Sequence, residues 1–234
     1  MAEGTITAPV DREQFSLHPE DDMTERRSHS IQAGYFVFAF SQVLPGMFVA
    51  RNLAVYWVPG QRKYPYAGPD VLVSRHHPPE PDPTVYLTYE EGPLTLVVEI
   101  ASLKTRRREK KRRDEVYAAT LQVPVYLFVD IPRHVLDLRE LVAGKYEPVQ
   151  PDSEGRYWSR ELGIGFAWQA DGKLVRVLTP DGRIVPTDQE EVALRAAAEE
   201  RAEAERERAE AERERAKALA AEVERLRRML GEEP

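Results

Sequence analysis

An α/β domain built on a mixed sheet, followed by a long charged helix, is the architecture that this sequence predicts. Three observations support it. Short runs rich in β-branched and aromatic residues, typical of strands, are separated by helical segments. Residues 94–130 read as strand, helix and strand over about 35 residues, the length of a βαβ crossover, which predicts that the two strands pair in parallel. Residues 188–234 repeat alanine and charged residues in a helical pattern.

Composition limits the classes of function. The chain has 234 residues, of which 42% are hydrophobic, and this allows one substantial domain with an appendage. It has no cysteine, so a disulfide framework and a thiolate metal site are both excluded. Residues 1–20 lack a secretory pattern and no apolar run is long enough to span a bilayer. We therefore expect a soluble, cytoplasmic protein with no membrane partner.

The charge of the chain is acidic overall. The formal net charge is −7 and the sequence pI is about 5.4. A protein that coats nucleic acid would have a basic surface, so this class is disfavoured. A single local cationic site remains compatible with the composition.

We divide the chain into a flexible N-terminus (1–19), a domain (20–187) and a helical tail (188–234). Within the domain, the stretch TERRSHSIQAGYFVFAFSQVL, which begins at Thr24, predicts a helix that ends before Pro45. The runs FVARNLAVYWV, PDVLVS, LTLVVEIAS and VPVYLFVD predict strands. The basic segment TRRREKKRRDEVYAATL predicts a helix between the last two of them.

The rest of the domain is rich in turn residues. Residues 76–93 contain many prolines and predict a loop. In residues 135–186, short strand-like runs alternate with AGK, DSEG, ADGK and PDGR, which predict β-hairpins. We therefore expect added hairpins beside the main sheet.

The tail predicts a long helix with a coiled-coil-like pattern. The sequence AEAERER occurs twice in succession, and apolar residues recur every seven positions. Only the part after Ala216 has a convincing apolar seam, formed by Leu219, Val223, Leu226 and Leu230. We interpret this seam as the contact of a homodimer. The alternative is a solvated single helix stabilised by charge pairs.

Glu99 is an acid inside an apolar strand. The run around it, LTLVVEI, is apolar on both faces, as expected of a central strand. Burying a lone carboxylate costs several kcal/mol, so the group must be neutral, paired or bound to a metal. A salt bridge to an arginine of the following helix is the structural alternative to a functional role.

Asp70 makes a functional role of Glu99 more plausible. It opens a strand directly after Gly68 and Pro69, where an acid could also serve only the turn. Two carboxylates on neighbouring strands, however, can chelate a hard divalent cation such as Mg²⁺ or Mn²⁺. Such an ion activates water and polarises a phosphoryl group, and the basic helix after Glu99 would contact phosphate.

The order of these motifs resembles the PD-(D/E)XK nuclease superfamily, and more narrowly the Uma-two family of restriction endonucleases. The resemblance rests on GPDVLVS, LVVEIASLKTRRR and YAATLQVPVYLFVDIP, with support from DMTERRSH and YWSRELGIGF. It implies a restriction-endonuclease-like mixed sheet flanked by helices. It also implies Mg²⁺- or Mn²⁺-dependent hydrolysis of phosphodiester bonds, with DNA as the substrate.

The resemblance also implies a metal site. Asp70 and Glu99 would be metal ligands, together with the backbone carbonyl of Ile100. Glu25 falls near an acid that family members carry on the first helix, and could reach the metal through water. Its alternative is an ordinary acid of the first helical turn.

The expected lysine is where the sequence departs from the pattern. The superfamily position is Ala101 here. In the family the lysine lies on the following helix, four residues before a tyrosine, which is Tyr117 here, and this position is Arg113. Arginine stabilises negative charge but stays protonated, so it cannot act as a base. Lys110, three residues earlier on the same helical face, is the candidate for proton exchange, and Arg113 the candidate to neutralise phosphate charge.

Two other functions remain open from the sequence. The fold could be a catalytically lapsed nuclease that binds nucleic acid or a protein partner and assembles through its tail, or the tail itself could make the protein an assembly adaptor. The five histidines have no metal-motif spacing, so we assign none of them to a site.

Overall fold

The computed structural model of the protein describes residues 27–59, 65–76, 83–101 and 111–229. The chain divides into two compact units, with the boundary between Val185 and Pro186. The first unit mixes helices with β-sheet, and the second is a single long helix. This arrangement confirms the predicted mixed α/β fold with a long C-terminal helix.

Twelve strands belong to the described part of the first unit. In chain order they are β1 (Phe48–Arg51), β2 (Val55–Tyr56), β3 (Tyr66–Ala67), β4 (Val71–Ser74), β5 (Tyr86–Leu87), β6 (Leu96–Ile100), β7 (Val125–Asp130), β8 (Val135–Val142), β9 (Lys145–Pro148), β10 (Tyr157–Trp158), β11 (Gly165–Trp168) and β12 (Val175–Leu178). The helical segments are α1 (Arg27–Val43), α2 (Thr88–Glu91), a π-helix (Arg112–Ala118) and a 3₁₀ turn (Ile131–Arg133).

The main sheet has six strands in the order β1-β4-β6-β7-β8-β9. Only β6 and β7 run parallel, with Leu96 opposite Val125 and Ile100 opposite Val129, and the other neighbours are antiparallel. The parallel pairing predicted for the strand–helix–strand segment is therefore confirmed.

Two smaller sheets have the orders β3-β2-β5 and β10-β11-β12. The predicted single strand FVARNLAVYWV is in fact two strands, β1 and β2, which belong to different sheets. Asn52 lies between them with a φ of 54°, a left-handed conformation that interrupts an extended strand. The predicted loop at residues 76–93 likewise contains β5 and α2, while residues 77–82 lie outside the described part of the chain.

The predicted hairpins are found at three of the four turn sequences. Gly144 turns β8 into β9, Gly172 turns β11 into β12, and Leu178 bridges to Ile184 across the PDGR turn. The DSEG turn differs, because it joins β9 to β10, which belong to different sheets. There the Asp152 carboxylate accepts backbone N–H groups two and four residues later and closes a local turn.

The main sheet is buried on both faces. Its first face packs against α1, where Phe36 and Phe40 meet Val98 and Ile100. Its second face packs against the π-helix, where Val97 and Tyr117 belong to one buried cluster; neighbours in this cluster are Leu72, Leu94, Val123 and Tyr126. Because side chains alternate along a strand, Glu99 lies on the same face as Val97.

Helix α1 is anchored by a buried polar side chain. The Gln32 amide nitrogen donates to the Val175 carbonyl at 2.9 Å, and the Gln32 amide oxygen accepts from the Val175 N–H at 2.8 Å. The Tyr35 hydroxyl donates to the Val185 carbonyl at 2.9 Å and accepts from the Val177 N–H at 3.0 Å. These bonds fix α1 against β12 and so fix the residues in its first turns.

The second unit is one helix, α3 (Asp188–Met229), of 42 residues with no buried side chain. It begins with a capping box, in which the Thr187 hydroxyl accepts from the Glu190 N–H and the Glu190 carboxylate accepts from the Thr187 N–H. The seam residues Leu219, Val223 and Leu226 are exposed in the single chain, whereas Leu230 lies outside the described residues. The homodimer stays a prediction. Across the described ranges, no helix is long and apolar enough to cross a bilayer.

Candidate active site

The two predicted metal ligands lie at adjacent ends of neighbouring strands. β4 and β6 are antiparallel, with Val71 opposite Val98 and Leu72 opposite Val97. Asp70 directly precedes β4, and Glu99 follows Val98 in β6. Glu99 lies two residues from Val97 and so on the second face of the sheet. A shared metal site of the two carboxylates stays a prediction.

Both oxygens of Asp70 have contacts. Oδ2 accepts a hydrogen bond from the Ile100 N–H at 2.5 Å. Oδ1 lies 3.2 Å from Nε2 of His29 on α1, and these side chains are only 14% and 12% exposed. The carboxylate is therefore oriented by one donor from the sheet and one from the helix packed against its first face.

Glu99 is 5% exposed, and its carboxylate contacts Tyr117 and Arg112. Its Oε1 accepts a hydrogen bond from the Tyr117 hydroxyl at 2.5 Å and lies 3.4 Å from Nη1 of Arg112. A positive charge and a hydroxyl donor offset much of the cost of burying a carboxylate. The salt bridge to an arginine of the following helix, considered above as the structural alternative, is present.

The π-helix explains why these two partners meet Glu99 together. The Ala119 N–H donates to the Asp114 carbonyl and the Leu121 N–H to the Val116 carbonyl, each five residues back. In an α-helix, residues five apart are separated by about 140° around the axis. The wider π-helical turn brings residues five apart, such as Arg112 and Tyr117, close to the same face. Single π-helical turns frequently occur at functional sites.

The Arg113 side chain contacts two aspartates rather than Glu99. Its Nε is 2.8 Å from Oδ1 of Asp114, and its Nη1 is 3.9 Å from Oδ2 of Asp137. The expected stripe of Lys110, Arg113 and Tyr117 assumed a regular α-helix, and the π-helical register over residues 112–118 changes it. The structure does not bring Arg113 to Glu99, so its role at the phosphate stays a prediction. Lys110 lies outside the described residues.

Glu25, predicted to approach the metal through water, also lies outside the described residues. Ile100 is the last residue of β6, and its N–H is already bound to Asp70. Its carbonyl therefore belongs to the same strand end as the two carboxylates. Of the predicted metal ligands, the described part of the chain contains Asp70, Glu99 and Ile100.

The protonation states at Glu99 follow from burial and charge. Burial and the neighbouring Glu99 carboxylate raise the pKa of Tyr117 well above its usual value, so the hydroxyl stays protonated and donates. Burial lowers the pKa of Arg112, but Glu99 and Tyr117 outweigh it and raise the pKa overall. Arg112 therefore stays charged and cannot act as a proton acceptor.

Sequence reasoning missed His29 and Arg112. His29 lies in the TERRSH stretch, but its contact with Asp70 joins residues far apart in the chain, and no local spacing signals it. Arg112 is one of many basic residues in its segment, and only the π-helical register distinguishes it. In the sequence, Tyr117 only marked the position of the expected lysine. In the structure, its hydroxyl donates a hydrogen bond to Glu99.

The donor atoms fit a hard divalent cation. Carboxylate and carbonyl oxygens are the ligands that Mg²⁺ and Mn²⁺ prefer, and Asp70, Glu99 and the Ile100 carbonyl supply them from one strand end. Within the described ranges, no cluster of three or more histidine and acidic side chains could hold a metal ion.

The mixed sheet with its parallel central pair has the architecture predicted for the restriction-endonuclease-like class. A family profile, Uma2, described as putative restriction endonuclease, matches residues 21–177. This range covers more than half of the chain, so the chain belongs to the Uma2 family. The family resemblance predicted from the sequence is confirmed.

A crystal structure described as a putative nuclease belonging to DUF820, from Anabaena variabilis ATCC 29413, is similar with a TM-score of 0.41 and 14% identity, over 55% of this chain and 70% of that chain. No curated protein matches. The family description indicates a nuclease, whose substrate is nucleic acid, and restriction-endonuclease-like families generally use divalent metals.

Proposed function

We propose that this protein is an endonuclease that hydrolyses DNA phosphodiester bonds with Mg²⁺ or Mn²⁺. The observation that supports the proposal is that Asp70 and Glu99 lie at adjacent ends of the paired strands β4 and β6, one residue beyond the pair Val71 and Val98. These carboxylates and the Ile100 carbonyl would hold the ion. When bound, the ion would polarise a phosphoryl oxygen and lower the pKa of a bound water.

Positive charge beside the acids supports a phosphate-directed site. Arg112 lies against Glu99 and stays charged, so it can neutralise the negative charge that develops on a phosphate. Arg113, the position carried over from the family, is the second candidate for this role. Each arginine is paired with an acid, Arg112 with Glu99 and Arg113 with Asp114 and Asp137. Lys110 is proposed as the residue that exchanges a proton with the attacking water.

The proposal is tested by cleavage of supercoiled plasmid DNA, and of RNA in parallel, with magnesium or manganese. Asp70→Asn and Glu99→Gln should each lower the rate by more than about 100-fold, which exceeds the usual effect of removing an outer partner of a ligand. Asp171→Asn, an exposed acid in the turn between β11 and β12, is the matched control and should cleave like wild type. Cleavage at wild-type rates by both site variants would contradict the proposal.

A catalytically lapsed nuclease that binds nucleic acid or a protein partner is the second candidate. The Arg112–Glu99 salt bridge favours it, because it neutralises a carboxylate that the reaction needs. Ala101, where the superfamily pattern has lysine, favours it too. DNA binding that weakens with salt, without cleavage under either metal, would select this candidate. Cleavage gained by Arg113→Lys would then identify the lost residue.

A further inference from the structure

The Asp70 carboxylate is held from two sides, by the Ile100 N–H and by His29 Nε2. We infer that His29 is a positioning residue that orients Asp70 for binding of the divalent cation, without itself binding the ion. This inference rests on the proposed function and adds a residue to it. Neither the family pattern nor the sequence spacing assigned His29 a role.

His29 lies on a helix that is held rigidly. His29 lies in the first turn of α1, and Gln32, one turn later, is tied to the backbone of β12 by two hydrogen bonds. Phe36 and Phe40 continue the same helix into the core below the main sheet. A side chain on so firmly fixed a helix can hold a carboxylate in one orientation.

The orientation of the Asp70 carboxylate depends on contacts at both of its oxygens. It directly precedes β4, and its carboxylate would be free to rotate about its side-chain bonds if only one oxygen had a donor. The Ile100 N–H holds Oδ2 and His29 Nε2 holds Oδ1, so rotation breaks both contacts. Outer partners of this kind, hydrogen-bonded to a ligand, typically account for about 10–100-fold in metal affinity.

The effect of His29 on the orientation of Asp70 can be separated from its effect on folding stability. α1 is already held by buried bonds from Gln32 and Tyr35 and by its aromatic residues. These contacts hold α1 in place independently of the contact between His29 and Asp70. Loss of the His29 contact should therefore change metal affinity more than it changes the unfolding transition.

The experiment titrates the full-length protein with manganese by calorimetry. His29→Leu keeps the bulk but removes the donor, and should weaken manganese binding by about 10–100-fold. His29→Gln keeps a nitrogen donor at a similar distance from the backbone and should bind within about threefold of wild type, since the same hydrogen bond to the carboxylate can form. Thermal unfolding in EDTA should show both variants folded.

His134→Gln is the matched control. His134 stacks on Trp168, with ring centroids 4.1 Å apart, and has no contact with the acids of the site. Its variant should bind manganese like wild type. An effect in His134→Gln equal to that in His29→Leu would overturn the inference, because it would show a general effect of losing a histidine.

The remaining outcomes are equally decisive. Undiminished binding in His29→Leu, with wild type binding normally, would overturn the inference alone. Equal losses in His29→Leu and His29→Gln would also overturn it, because they would indicate that the imidazole binds the ion directly. Absence of manganese binding in wild type would instead contradict the proposed function, and the inference would fall with it.

Discussion

The α/β domain and the C-terminal helix hold their charges in opposite ways. In the domain, Glu99 and Arg112 form an ion pair whose side chains are 6% and 32% exposed. In the helix, Glu224 and Arg228 form an ion pair whose side chains are 68% and 75% exposed. The chemistry of the two pairs is the same, but water screens the second pair much more than the first. A buried charge left without a partner is strongly destabilising, whereas an exposed pair contributes at most about 1 kcal/mol.

The difference shows which unit keeps a charged group at the expense of folding stability. The helix could exchange most of its charged residues without changing the free energy of unfolding much. The domain keeps Glu99 in its core and surrounds it with Tyr117 and Arg112, although an apolar residue would pack there at lower cost. A buried acid in a central strand is more informative about activity than the many exposed charges of the helix.

The largest expected effect on folding comes from a buried amide in the domain. Gln32→Met would leave the N–H and the carbonyl of Val175 without their partner, and should lower the free energy of unfolding by about 3 kcal/mol. Gln189→Met, on the exposed surface of α3, is the matched change in the helix and should be nearly neutral. Urea unfolding monitored by tryptophan fluorescence measures both. Equal effects at the two sites would remove the contrast between the units.

The ion pairs allow the next comparison. Arg112→Met should lower the free energy of unfolding by about 2 kcal/mol, below the range for fully buried pairs because the arginine is partly exposed. Arg228→Met should change it by less than about 0.5 kcal/mol.

A double-mutant cycle sharpens this result. Glu99→Gln combined with Arg112→Met removes both charges, so the double variant should recover part of the stability lost by Arg112→Met alone. An additive double variant would show that Glu99 and Arg112 do not interact in solution.

Removal of the C-terminal helix should have the smallest effect on the stability of the domain. The same change tests whether the helix assembles the protein into a dimer. A chain that ends at Thr187 should keep the unfolding transition of the domain. In analytical ultracentrifugation, full-length protein should sediment as a dimer at micromolar concentration and the shortened chain as a monomer, because Leu219, Val223 and Leu226 would pair between chains. Monomers in both samples would show that the seam belongs to a solvated single helix.

The sequence predicted the main sheet and its two acids because their signals are local. Strand propensity, the glycine and proline before Asp70, and the apolar run around Glu99 can each be recognised within a few residues. The crossover length between β6 and β7 then sets their parallel pairing. These features predict that Asp70 and Glu99 belong to neighbouring strands, but not the register between β4 and β6.

The partners of the two acids could not be predicted in the same way. Whether Arg112 or Arg113 meets Glu99 depends on a π-helical turn, which depends in turn on how Tyr117 packs in the core. His29 meets Asp70 only because α1 crosses the sheet, a tertiary contact without a local pattern. The break at Asn52 was missed because strand-forming residues such as Val49, Val55 and Tyr56 lie on both sides of it.

Direct titration of the protein with manganese is the measurement that bears most closely on the central claim, that Asp70 and Glu99 form one metal site. Wild-type protein and the control Asp171→Asn should bind the ion, and Asp70→Asn and Glu99→Gln should each abolish binding, because each removes one of the two carboxylate ligands. Undiminished binding in both site variants would contradict the account. In that case Glu99 would serve as the buried half of a salt bridge.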